Sequence, residues 1–153
     1  MSGVDPGGDE AGVGHILGFA GYAAAEKALR HTLDQHPGHL ESYVDLCKLY
    51  FYSKRLSEAE QVARAALVEA ARQGGFGPDW CTLMPDDEAI WRDSHGPQRI
   101  YLYMLKALSF IRMRRNDVDG GREILAHLNR LDPDDLVGGS VVEDLASAVS
   151  GGL

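Results

Sequence analysis

Two segments of this chain, 21–38 and 55–72, read as one helical pattern written twice, thirty-four residues apart. Ala25 returns as Ala59, Leu33 as Leu67, and the position ahead of each pattern carries Tyr22 or Leu56. A fixed period of this size marks a stacked array of helices, because each unit has an apolar face that only its neighbour can cover. The pattern returns in register once more: Gly121 lies sixty-two residues after Ala59, one period lengthened by an insertion of twenty-eight. Such an array points to a binding scaffold rather than to a catalyst.

The helices follow from spacing and punctuation. Tyr22, Ala25, Leu29 and Leu33 share one helix face, which Pro37 and Gly38 bring to an end. Tyr43, Leu46, Leu49 and Tyr50 form a stripe on a second helix over about Leu40 to Ser53. Ser57 with Glu60 reads as a capping box opening a third, which carries Ala59, Val62, Ala63, Ala66, Leu67 and Ala70 and stops at Gly74 and Gly75. With a connection of only a few residues, the second and third helices pack antiparallel. Between about Phe76 and Gln98 the period breaks, and a segment with three prolines, two tryptophans and a short helical pattern from Pro85 to Arg92 intervenes.

After Gly96 and Pro97 an apolar helix runs to about Arg114 through Ile100, Tyr101, Met104, Leu105, Leu108 and Ile111. Asp117 caps the next, which presents Gly121, Ile124, Leu125, Leu128 and Leu131 before Asp132 and Pro133 stop it. Ser140 with Glu143 opens a last short helix through Val141, Val142, Leu145 and Val149, of the kind that covers the final apolar face of an array. No strand-like alternation of useful length occurs, so the expected class is all α.

The 153 residues suffice for one core. A formal charge of −8, from 15 basic and 23 acidic residues, disfavours duplex nucleic acid as a partner. Cys47 and Cys81 fit neither a disulfide framework nor a zinc ribbon. The stretch from Val13 to Ala25 is mildly apolar but preceded by Asp5, Asp9 and Glu10, where a secretory signal is basic. No run approaches the roughly 18 apolar residues that span a bilayer. A cytoplasmic protein without membrane or nucleic-acid partners is the expectation.

Tyr43, Leu46, Cys47, Tyr50, Leu56, Ala59, Ala63 and Ala66 resemble the signature of the tetratricopeptide repeat (TPR) family, with Cys47 where the family has a small residue. A partial repeat before it matches through Ala25, Leu29, Leu33 and Pro37, and one after it through Leu108, Ser109, Asn116, Asp117, Gly121, Leu125 and Pro133. The first dozen residues, with Gly3, Gly7, Gly8 and Gly12 around Pro6, bury little and read as a loose arm over 1–12, and the resemblance implies a right-handed array of antiparallel helix pairs in one domain over 13–153. That domain divides into a degenerate repeat over 13–39, a repeat over 40–73, an insertion over 74–99, a repeat over 100–134 and a capping helix over 140–150. The first repeat departs from the pattern, because Gly12, Gly14 and Gly18 weaken its first helix. The second lacks its closing proline, with Ala71 in that place.

In the family the first helices of successive pairs line a concave surface that takes a peptide. Carried over, that surface is Glu41, Val44, Lys48, Phe51, Tyr52, Tyr103, Lys106, Phe110, Met113 and Arg114, suited to apolar anchors flanked by an acidic group. The alternative is that its aromatics contact the insertion or neighbouring helices and its cations solvate the rim. The Lys, Asn and Arg set with which some relatives grip a chaperone's carboxyl terminus is mostly missing.

Phe76, Trp80, Met84 and Trp91 give the insertion a large apolar load, read as a lid, a dimer contact, or filling for the gap where the array is interrupted. His31, His36 and His39 lie close in sequence, but the latter two sit in an interhelical turn without metal-ligand spacing. No phosphate loop or nucleophile motif stands out, so neither metal, cofactor nor catalytic residue is expected. Residues 100–131 carry six basic and three acidic groups, with Arg112, Arg114 and Arg115 clustered at a helix end, where they favour the dipole or offer an acidic peptide a docking spot. The leading expectation is an adaptor or chaperone-like module that binds a peptide of another protein. The alternatives are an assembly protein self-associating through the insertion or a terminal repeat, and, more weakly, a metal protein or enzyme.

Overall fold

The computed structural model describes residues 10–84, 91 and 96–139, with side chains from residue 21. The helical pattern expected from Pro85 to Arg92, apart from Trp91, and the capping helix expected over 140–150 lie outside the described residues. Within them the chain is all helical, in five helices: α1 (Glu10–Gln35), α2 (Leu40–Tyr52), α3 (Leu56–Gly74), α4 (Gly96–Arg114) and α5 (Val118–Leu131). Each packs on the next, and α2 also touches α4.

Local chemistry sets two of the ends. Asp117 accepts a hydrogen bond from the Gly120 amide, capping α5 as its position predicts. Gly75, at φ 78°, lets the chain leave α3 in the left-handed region while its amide donates to the Ala71 carbonyl. α1 begins at Glu10 and runs unbroken past Gly12, Gly14 and Gly18. Their cost, about 1 kcal/mol each against alanine, is met residue by residue once the helix is nucleated, since each added residue gains a backbone bond.

The capping box expected at α3 does not form. The helix starts two residues earlier, Arg55 occupies the cap position without a side-chain bond, and Glu60 turns instead toward α4. Its carboxylate accepts from Arg112 at 3.0 Å, Arg115 at 2.8 Å and Arg64 at 3.0 Å. Three guanidiniums outcompete one backbone amide for this carboxylate, because charge-assisted bonds are the stronger ones. Burial raises the Glu60 carboxyl, but the bonds from Arg64, Arg112 and Arg115 outweigh it and hold the group below its ordinary range. Arg112 also pairs with Asp117, so Arg112 and Arg115 join helices rather than merely ending one.

The same arrangement occurs one unit earlier. Glu26, thirty-four residues before Glu60, accepts from the Tyr50 hydroxyl at 2.6 Å and from Arg55 at 2.6 and 3.1 Å. Tyr50 in turn stands sixty-two residues before Arg112, the offset that separates Ala59 from Gly121. The register of the sequence period is therefore also a register of polar contacts: a carboxylate on one helix is met by a residue of the following one.

The core runs along α2 to α5, with Leu46, Tyr50, Ala59, Ala63, Ala66, Tyr101, Met104, Leu105, Leu108 and Leu125 all fully buried. Small residues sit where helices come closest. The Cys47 sulfur lies 3.6 Å from the Ala59 carbonyl oxygen across α2 and α3. At the matching place on α4 and α5, a Cβ on Gly121 would meet the Ser109 carbonyl oxygen at 2.7 Å and Met113 Cγ at 2.6 Å. Phe76 and Trp91 of the insertion form a cluster of rings with Tyr101 of α4, centroids 5.0 to 5.9 Å apart, and the Tyr101 hydroxyl donates to the Pro78 carbonyl at 2.7 Å.

Candidate functional site

Because α3 stands between them in sequence and packs on both, α2 and α4 are held side by side with a trough between. Its walls are Val44, Lys48, Phe51 and Tyr52 from α2 and Tyr103, Lys106, Ala107 and Phe110 from α4, and its floor is Cys47, Met104 and Ile111. The volume of about 230 Å³ holds one or two large side chains rather than a whole helix.

The residues expected on this surface fall into two groups. Val44, Lys48, Phe51, Tyr52, Tyr103, Lys106 and Phe110 come together around the trough. Glu41 instead lines a shallower groove with His39, Gln73 and Arg99 at the start of α2. Met113 is packed against Gly121 between α4 and α5, and Arg114 sits beyond the walls with its guanidinium 5.9 Å from the Phe51 ring centre. Cys47, Met104 and Ile111 complete the lining from buried positions, and a floor looks like core in sequence; Ala107 adds a small wall residue with no signal of its own.

The trough is graded along its length. At one level the ammonium groups of Lys48 and Lys106 lie 5.6 and 5.7 Å from the centre of the Tyr103 ring, within cation–π range. At the next, the Phe51 and Phe110 rings are 5.2 Å apart, with Tyr52 edge-on to Phe51 at 5.8 Å. Tyr52 is 40 % exposed, so part of its ring is open to solvent at the trough's edge. The lining carries two lysines and no carboxylate, in a chain with a large acidic excess. Cys47 is inert there: it is buried, and burial pushes its thiol up to about 12.

None of Phe76, Trp80, Met84 and Trp91 lines the trough. Phe76 and Trp91 are turned onto Tyr101, half-buried Trp80 lies under the Arg64 guanidinium, and Met84 is 56 % exposed. His31 and His36 are exposed, and His39 shares a 2.6 Å hydrogen bond with Ser42. Among the described residues no three His, Cys, Asp or Glu side chains are grouped to hold a metal. Cys81 lies 3.8 Å from His127, whose other ring nitrogen takes a bond from Arg130. No described helix is long and apolar enough to cross a membrane.

Comparison with protein-family models, curated proteins and solved structures finds no match for this chain.

Proposed function

We propose that this chain is a TPR-like interaction module whose trough between α2 and α4 binds a peptide segment of another protein. The carrying observation is an apolar-walled trough with partly exposed aromatics, between two helices that each open a closely packed pair. The small-residue contacts of Cys47 with Ala59 and of Ser109 with Gly121 support reading these pairs as repeats of one unit. A fixed wall of Phe51, Tyr52, Tyr103 and Phe110 offers large contact area at little entropic cost, the usual make-up of energetic centres in interfaces. The trough's lining is neutral and basic, and burial leaves its one thiol, Cys47, unactivated, which favours binding over chemistry. Its role is that of an adaptor or chaperone-like scaffold rather than of an enzyme.

The test is selection of random 16-residue displayed peptides on the folded chain, followed by binding titrations to the wild type and to the double variant Phe51→Ala/Phe110→Ala. The reading expects peptides to be selected and to lose about tenfold or more in affinity in the double variant, with helicity and thermal midpoint checked in parallel. Phe110→Leu, which keeps a branched apolar side chain in place of the ring, should lose less. Undiminished binding to the double variant would refute it.

A further inference from the structure

Resting on that reading, we infer that the trough selects a segment that projects one acidic and one large apolar side chain from the same face, about 5 Å apart. The acid is seated between Lys48 and Lys106, and the apolar side chain against Phe51 and Phe110.

The spacing comes from the walls. Lys48 precedes Phe51 by three residues on α2 and Lys106 precedes Phe110 by four on α4. At a rise of 1.5 Å per residue the cationic and aromatic levels are about 4.5 to 6 Å apart. The two ammonium groups approach the Tyr103 ring to similar distances from different helices. On long, flexible stems both ammonium groups can turn from the ring toward one carboxylate seated beside it, and charge-assisted hydrogen bonds are roughly twice as strong as neutral ones. The apolar level holds the Phe51 and Phe110 rings 5.2 Å apart, and the trough as a whole has room for one or two large side chains.

The sign of the trough matters because the rest of the chain opposes it. A net charge of −8 draws in basic segments and repels acidic ones at long range. Salt screens that field over about 8 to 10 Å, whereas two lysines flanking one ring act at contact. The consequence is discrimination: a basic apolar segment reaches the surface readily but meets like charge in the trough, and an acidic one is held only when its apolar side chain is seated as well.

The peptides selected above provide the probe. Each is titrated against wild type, Lys48→Glu/Lys106→Glu, and the neutral variant Lys48→Met/Lys106→Met, which keeps the aliphatic stems and guards against misfolding. Trough-bound peptides should share an Asp or Glu on the same face as a Phe, Trp, Leu or Met. They should weaken about tenfold or more when that acid becomes Gln or when the lysines become Glu, and repeating the selection on the Glu variant should return basic peptides. Peptides lost in Phe51→Ala/Phe110→Ala but indifferent to both lysine variants would overturn this inference and leave peptide binding standing. Peptides indifferent to the aromatic variant, or none selected at all, would overturn both.

Discussion

Gly121→Ala is the most informative single change to the packing. The added methyl would sit 2.6 Å from Met113 Cγ and 2.7 Å from the Ser109 carbonyl oxygen. Met113 can swing away, but the carbonyl belongs to the α4 backbone. Moving from 2.7 Å to an ordinary contact of 3.4 Å requires α4 and α5 to separate by about 0.7 Å. A gap of that size forfeits about a quarter to a half of the dispersion energy of the atoms involved, and overpacking of cores costs about 1–3 kcal/mol. Against this, alanine gains about 1 kcal/mol of helix propensity over glycine. Destabilisation should win by up to about 2 kcal/mol, which lowers the thermal midpoint by about 4 °C for each kcal/mol. Thermal and urea unfolding followed by circular dichroism measure it. Gly77→Ala, where an added Cβ meets nothing within 4 Å, is the control for substitution as such. A rise in the midpoint of Gly121→Ala would show that propensity governs this position and that the helices do not depend on a small residue there.

Glu60→Gln should cost about 1–3 kcal/mol at pH 7, since bonds to charged groups contribute about 1.5–3 kcal/mol and its partners remain partly exposed. Because its folded-state acidity is strengthened, the stability from Glu60 is complete above its unfolded value near 4.5 and disappears as pH falls through the lower folded value. Urea midpoints taken from pH 7 to pH 3 should therefore fall less steeply in Glu60→Gln than in wild type, and parallel curves would contradict the ion-pair assignment. Trp91→Ala should cost about 3–5 kcal/mol, because Trp91 is 4 % exposed against Phe76 and Tyr101; a loss under 1 kcal/mol in the same assay would argue against a ring cluster. A thiol reagent should modify exposed Cys81 in the native protein and reach Cys47 only on unfolding. Two fast thiols in the folded state would mean that the floor of the trough is open.

Much of this fold is written locally. The stripe of Tyr43, Leu46, Leu49 and Tyr50, the cap at Asp117 and the exit at Gly75 depend on neighbours a few residues away, and these elements stand where their patterns put them. Glu60 shows the limit: its spacing from Ser57 suits a capping box, but its partners lie fifty-two and fifty-five residues further on, and no local pattern reveals them. The trough divides in the same way. Its wall residues alternate with the core stripes of α2 and α4 and stand out as aromatics and cations, whereas Cys47, Met104 and Ile111 are core and lining at once. Arg114 and Met113 share a helix with the wall but lie a turn beyond it, a distinction that depends on how far α2 extends alongside α4.

The central claim is that the face between α2 and α4 is where this chain meets its partner. Amide chemical shifts of the labelled protein, recorded with and without a selected peptide, test it most directly. The account predicts that perturbations cluster at 44–52 and 103–111 and spare the outer surface of α3 around exposed Val68. Perturbations centred on α3, or on the Phe76–Trp91 cluster, with the trough unchanged, would contradict it.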